Sequence, residues 1–227
     1  TSTARPIFRA LRGNHGLPVV KPPSGSCASH GIGVRAPSRD KVSGQLLAYT
    51  QRGVGTQLGA SMTALLSDAA VGFVEWSGGR DQLPATTPRV EPGRRNANRL
   101  ATGVTYTTAA RLSLTAEVEY NGFAADRGAF ARLGSVGPLG VETYLVDAQR
   151  RQDNASRKAY LLYATQQGGL GKNIDVTGLI RVNGDDHSRL AWIEIRHHWP
   201  KLDLALQWQH AGGRAISEYG VLPERQI

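Results

Sequence analysis

The sequence predicts an all-β chain: an antiparallel up-and-down transmembrane β-barrel, whole or partial, over residues 43–227, preceded by an irregular segment over residues 1–42. Three observations predict it. Segments of about ten residues alternate apolar and polar side chains, the period-two pattern of a strand with one wet and one dry face. Their connections alternate between tight turns and long polar loops, with no βαβ rhythm anywhere. Aromatic residues (Trp76, Tyr120, Trp199, Trp208) gather near the ends of the apolar faces.

Residues 1–42 hold Pro6, Pro18, Pro22, Pro23 and Pro37 among glycines and serines, with no sustained period. They read as a leader, an arm or a plug-like segment. The first strand candidate is QLLAYTQRG, from residue 45. In QLGASMTALL (57–66), Leu58, Ala60, Met62, Ala64 and Leu66 share a face opposite Gln57, Gly59, Ser61 and Thr63. AAVGFVEWS from 69 and NRLATGVTYT from 98 follow, separated by a long polar loop over 77–98. In RLSLTAEVEYN (111–121), Leu112, Leu114, Ala116, Val118 and Tyr120 oppose Arg111, Ser113, Thr115, Glu117 and Glu119. A second long loop, 121–140, contains DRGAFARLG, whose composition suits one or two helical turns. VETYLVDAQ from 141 and RKAYLLYATQ from 157 are read as further strands. IDVTGLIRVN (174–183) opposes Ile174, Val176, Gly178, Ile180 and Val182 to Asp175, Thr177, Leu179 and Arg181. SRLAWIEIRHHW from 188 turns tightly through HWPK into KLDLALQWQH, where Leu202, Leu204, Leu206 and Trp208 share one side. A last strand over 216–227 is weakened by Pro223, because proline cannot donate to a sheet ladder.

Alternation by itself does not say which face is wet. A soluble sandwich buries its apolar face, whereas a membrane barrel turns that face to lipid and keeps a polar lumen. Strands near ten residues match the roughly nine to eleven that a tilted strand needs to cross a bilayer. Charges in mid-strand, such as Glu117, Glu119, Glu194 and Arg196, suit a water-filled lumen. Both features, with the end-placed aromatics, favour lipid contact for Leu112, Leu114, Val118, Leu202, Leu204, Leu206 and Trp208.

Composition removes other classes. At 227 residues the chain is long enough for a substantial fold, and its mean hydropathy of -0.32 with 40% hydrophobic residues excludes a helical membrane protein. No apolar run reaches the roughly 18 residues of a transmembrane helix. Residues 1–16 contain no apolar core of an export signal. One cysteine, Cys27, excludes an intrachain disulfide and a cysteine-rich zinc site. A net charge of +9 and a pI near 10.1 keep anionic partners in view. The densest basic stretch is RVEPGRRNANR, with Arg89, Arg94, Arg95 and Arg99. No aromatics interleave with it as a nucleic-acid stacking platform requires.

The region 98–227 resembles the barrel of Gram-negative outer-membrane proteins of the porin and exporter type. The resemblance rests on RKAYLLYATQQGG, on the hairpin series from KNIDVTGLIRVN to KLDLALQWQH, and on the ending SEYGVLPERQI. Such barrels end in an aromatic residue, and here the last residue is Ile227. The resemblance implies a location in the bacterial outer membrane and passive work: a pore, an export conduit or the anchor of a larger complex. The implied partners are the lipid bilayer, other envelope proteins or further copies of the chain, and small solutes or an exported polymer. Arg111, Glu117, Glu119, Arg181, Glu194 and Arg196 would line the lumen, with Arg94 and Arg95 at its mouth. The competing reading is a soluble basic β-rich protein of an RNA-containing assembly, its arm over residues 1–42 threading nucleic acid.

Chemistry is sparse. Asp185, Asp186 and His187 sit together, but a hairpin turn needs those residue types without a metal. His197 and His198 are adjacent on a strand and point to opposite faces, so they do not share a ligand. GGLGKN (168–173) lacks the Gly-Lys-Ser/Thr ending of a phosphate loop. Ser113 and His210 could serve hydrolysis only if the fold brought them side by side, and nothing in the sequence does so. The expectation is a chain that is not an enzyme, with no cofactor and no metal.

Overall fold

The computed structural model describes residues 29–39, 41–51, 55–85, 93–135, 137–221 and 225–226. Cys27, Arg89 and the arm up to residue 28 lie outside them.

The described chain forms one antiparallel sheet whose strand order is the sequence order. Its strands are β1 (Ser29–Arg39), β2 (Val42–Gln51), β3 (Gly55–Ser67), β4 (Ala70–Gln82), β5 (Arg94–Thr107) and β6 (Leu112–Asn121). After two helices, α1 (Arg127–Ser135) and α2 (Pro138–Arg150), the sheet continues with β7 (Lys158–Gln167), β8 (Ile174–Asn183), β9 (Arg189–Trp199) and β10 (Leu202–Gly212). A two-residue β11 (Arg225–Gln226) pairs with the end of β10. Among the described residues β1 pairs only with β2, and β11 only with β10, so the sheet is open at both edges.

Four readings of the sequence need correcting, the last strand over 216–227 among them: of its described residues only Arg225 and Gln226 are in a strand, and 216–221 are loop. The segment 29–39 is a strand rather than part of an irregular leader: Gly31 and Gly33 hide the alternation carried by Ile32 and Val34. VETYLVDAQ is helical, because Val141, Tyr144, Leu145 and Ala148 repeat at three and four residues and bury one helix face. The long loop after β4 is also shorter than expected, since β4 runs on to Gln82 and β5 starts at Arg94. Trp76 and Trp208 therefore sit in mid-strand, whereas Tyr120 and Trp199 do lie at strand ends.

The strand register fixes two faces. Cα partners stand on the same side of a sheet, and the rows Ala60–Trp76–Leu100–Tyr120 and Val104–Ala116–Leu162–Ile180–Ala191 join apolar residues to apolar residues. On this apolar face, the formal charges among the described residues of β2 to β10 are Arg80, Arg94, Lys158 and Arg189, all at or within two residues of a strand end. Its large residues are uncovered in every strand from β1 to β10: Ile32, Leu46, Met62, Trp76, Val104, Val118, Leu162, Ile180, Ile195 and Leu206 are all exposed. The compact apolar cluster of the described residues lies on the other side. Leu133, Val141 and Tyr144, from the helices, pack with Phe130, Ala125, Ala155 and Val221.

The register also slips along the sheet. A row that begins in the middle of β4 at Val74 passes through Thr102, Val118, Tyr160 and Val182 and reaches Arg189, the first residue of β9. Slippage in one sense is the shear that tilts strands relative to a barrel axis.

Close backbone approach makes Gly103 necessary. A Cβ there would stand 2.5 Å from the Ala116 carbonyl oxygen and 2.7 Å from the Phe73 ring, which lies across the glycine. Gly103→Ala is expected to cost about 1–3 kcal/mol through forced backbone and ring shifts, read as a lower denaturation midpoint. Gly178→Ala, whose nearest neighbour would be 3.9 Å away, is the control and should leave the midpoint in place.

Candidate functional site

The polar face of the sheet and the helical segment lying on it form the candidate site. The five described connections at one end of the sheet, from the β1–β2 turn to the β9–β10 turn at Pro200 and Lys201, span at most six residues; α1, α2 and the 213–221 loop are all at the other. The longer connections fold back over the polar face at their own end and cap it.

Local sequence builds the cap. Asp126 stands before α1 and its Oδ1 accepts the Ala129 N–H at 2.7 Å, so that hydrogen bond holds the carboxyl below the usual aspartate range. Gly137, at φ 114, turns the chain into α2, where Pro138 takes a first-turn position that needs no N–H. Tyr144 is 1% exposed. Its hydroxyl donates to the Ala155 carbonyl at 2.6 Å and accepts from the Ala125 N–H at 2.9 Å, joining both ends of the insertion. Burial pushes its phenol well above the ordinary tyrosine value, so the hydroxyl keeps the proton that it donates.

Arg99 of β5 is the anchor between cap and sheet. Its Nε and Nη2 grip both Asp153 carboxylate oxygens at 3.1 and 2.7 Å, Nη2 also reaches Asp81 at 3.3 Å, and the guanidinium lies 4.2 Å over the Phe123 ring. Next to it, Asn121 donates to Asp153 and to the Asn154 carbonyl, and Asn154 donates to Glu119 at 2.7 Å. Glu119 in turn pairs with Arg181 of β8 at 2.5 Å. A chain of hydrogen bonds thus runs from the cap across three strands, every link between mostly buried groups. At the far side, Arg151 donates to the Gln82 carbonyl and Asp147 accepts the Ala85 N–H, which ties α2 to the β4–β5 connection.

The 213–221 loop closes the cap from the β10 side. Ile216 packs on Gly134 of α1. Glu218 accepts from Asn183 Nδ2 at 2.8 Å, and its N–H donates to Asp186. Burial pushes the Glu218 carboxyl above the usual glutamate range, against the opposing pull of Arg181 and the Asn183 hydrogen bond. Because the packed state binds the proton more tightly than the loosened state, this contribution to stability is present below the ordinary glutamate value and is lost as pH rises through the raised one. Amide exchange at Ser217 and Tyr219, corrected for intrinsic rates, should therefore lose protection across that interval, and Glu218→Gln should flatten the dependence.

The residues singled out in the sequence fall into separate places. Glu117, Glu119 and Arg181 share the polar face beneath the cap. Glu194 and Arg196 lie on the same face further toward the short-turn end, paired with each other at 2.9 Å. Arg111 does not line the face: it stands at φ 62 in the β5–β6 turn, exposed, before β6 begins. Arg94 is exposed at the start of β5, while Arg95 is bound into the rim, donating to the Gly122 carbonyl. Leu112 is half-buried and Leu114, Val118, Leu202, Leu204, Leu206 and Trp208 are exposed, all seven on the apolar face. The sequence reading missed Arg99, Asp153 and Asn154 as a unit. The only signal was one arginine and a short polar run, 54 residues apart for the Arg99–Asp153 pair.

The histidines separate as alternation requires. His198 lies on the polar face, with Nδ1 3.0 Å from Asp203 and Nε2 3.1 Å from Asp175, whereas His197 stacks on Trp199 on the apolar face at 3.8 Å between ring centres. Asp185 and Asp186 accept backbone N–H groups of Lys158, Ser188 and Glu218, the work of turn residues. Among the described residues no group of three or more His, Cys, Asp or Glu side chains is arranged to hold a metal ion. Ser113 and His210 stand on opposite faces of the sheet. No helix among them is long and apolar enough to cross a membrane.

Between the cap and the first strands the polar face keeps an open cleft of about 270 Å³, lined by Leu47, Tyr49, Gln57, Ser77, Arg99 and Arg151. Geometry alone carries the functional reading, for no family model matches the chain, and no curated protein or solved structure matches it either.

Proposed function

We propose that the chain forms wall of an outer-membrane β-barrel whose polar face lines a passive conduit and whose helical segment caps the mouth of that conduit. One observation carries the reading: an exposed apolar face runs through ten strands without a mid-strand charge, while the opposite face holds the charges and the only compact cluster described. Soluble monomers rarely expose contiguous apolar patches beyond a few hundred Å². A bilayer covers such a face at no cost, and a water-filled lumen suits Glu117, Glu119, Arg181, Glu194 and Arg196.

The sheared register supports the same reading. At the roughly 40° tilt of barrel strands, one step sideways offsets about one residue along the strand. Corrected for that slip, Trp76, Tyr120, Tyr160 and Trp208 fall in one band, and Tyr106 and Trp199 in a second near the short turns. Two aromatic bands bounding an apolar zone are the girdles of a membrane barrel.

The cap covers the side of the lumen formed by β5 to β9 and leaves the cleft along β2 to β4, so the passage runs there. Purified in detergent and added to a planar bilayer, the protein should conduct weakly. Replacing residues 127–150 by a short Gly-Ser linker should raise single-channel conductance several-fold. Absence of conductance in both forms would overturn the conduit.

A further inference from the structure

The apolar face is not smooth. Ala116 lies between the larger Val104 and Leu162 in one row of facing residues, and Val118, Tyr160 and Ile180 continue the walls, leaving a groove of about 430 Å³. At the long-loop end of this groove stand two cations on the same face. Lys158 is the first residue of β7, next to Tyr120 and two residues from Tyr160; Arg189 is the first residue of β9 and faces Val182. They are separated by the width of β8, roughly 10 Å between their strands, within the combined reach of the two side chains. Both are exposed, and neither side chain has an ion-pair or hydrogen-bond partner among the described residues. The nearest acidic neighbour in the turn, Asp185, accepts the Lys158 backbone N–H.

We infer that this groove and its two cations form a binding site for one anionic membrane lipid, the acyl chain lying along Ala116 and the headgroup phosphate held between Lys158 and Arg189. The inference rests on the barrel reading, since it needs the apolar face in a bilayer. Charge complementarity selects the ligand: an apolar channel that opens onto two unpaired cations at the level where headgroups begin favours a phosphate without a compensating ammonium. The open side of the groove, facing lipid, sets no limit on the number of chains, so the phosphate is the recognised group.

Native mass spectrometry of the full chain in detergent, with phosphatidylglycerol and phosphatidylcholine of the same chain length in competition, tests it. The wild type should retain phosphatidylglycerol preferentially. The Lys158→Gln, Arg189→Gln double variant should lose that preference by roughly tenfold, as two headgroup-level cations imply. Ala116→Phe, which fills the groove with another apolar side chain, should lose retention of both lipids. Equal retention by wild type and double variant, or no preference in the wild type, overturns the lipid site while the protein still requires detergent. A chain that stays in solution without detergent overturns the barrel reading itself.

Discussion

Leu206→Arg is expected to block folding into bilayers, and Gln207→Arg, one residue further along β10, is expected to leave it intact. Leu206 sits mid-strand on the apolar face, 66% exposed and facing Ile195 of β9, with Val176 of β8 next in the same row. An arginine near the middle of a lipid-facing strand costs about 2–4 kcal/mol, a large part of the stability of most domains. Gln207 is on the opposite face, where its amide donates to Glu194. An arginine at 207 keeps a carboxylate partner and meets water, so its expected effect is small. Folding into lipid vesicles, followed by the shift in gel mobility between unheated and heated samples, separates the two variants. On a soluble protein the order would reverse or vanish, because an exposed leucine replaced by arginine is tolerated and improves solubility.

Arg99→Ala is expected to release the cap and leave the sheet in place. The substitution strands Asp153, whose side chain is 9% exposed, and removes the guanidinium from Phe123 and Asp81. Removing one partner of a largely buried ion pair costs about 3–5 kcal/mol because the other charge stays uncompensated. The loss falls on the cap, since β5 keeps its ladders to β4 and β6. Trypsin should then cut at Arg132, Arg150 and Arg151, whose backbone α1, α2 and its C-cap hold in helical form in the wild type, while the sheet remains resistant. In a planar bilayer the same variant should conduct more than the wild type. Asp153→Asn is the milder companion: it keeps a hydrogen-bond acceptor for Arg99 and should open the cap less.

How far the sequence reaches is clear from particular residues. The strand from Leu112 to Asn121 was legible because every second side chain is apolar, and a period of two has one structural meaning. The faces were legible for the same reason, so Glu117, Glu119, Arg181, Glu194 and Arg196 all lie where alternation puts them. Arg111 was misplaced because turns have no period: its φ of 62 ends the alternation one residue before the strand. α2 was misread because Val141, Thr143, Tyr144 and Val146 are residue types that favour strands; the spacing of Val141, Tyr144 and Ala148 carries the helical signal, and Gly137–Pro138 marks its start. β1 was lost to its glycines.

The cap itself was beyond sequence reasoning for a physical reason. The groups that tie it to the sheet are polar, and their partners are distant: Asn154 to Glu119 across 35 residues, Asn183 to Glu218 across 35, Arg99 to Asp153 across 54. A buried Asn or Glu in a loop looks like any solvated loop residue until the fold brings its partner to it. Loop composition therefore pointed to long polar connections, where the structure has an ordered, hydrogen-bonded unit on the polar face.

The central claim is that the apolar face meets lipid and the polar face meets water. The most direct measurement places a nitroxide spin label in turn at residues 202 to 207 of β10, in a Cys27→Ser background, and records its accessibility to oxygen and to a water-soluble nickel complex in vesicles. Oxygen accessibility should peak at Leu202, Leu204 and Leu206, and nickel accessibility at Asp203, Ala205 and Gln207, alternating along the strand. Nickel accessibility at all six positions, or the opposite alternation, would contradict it.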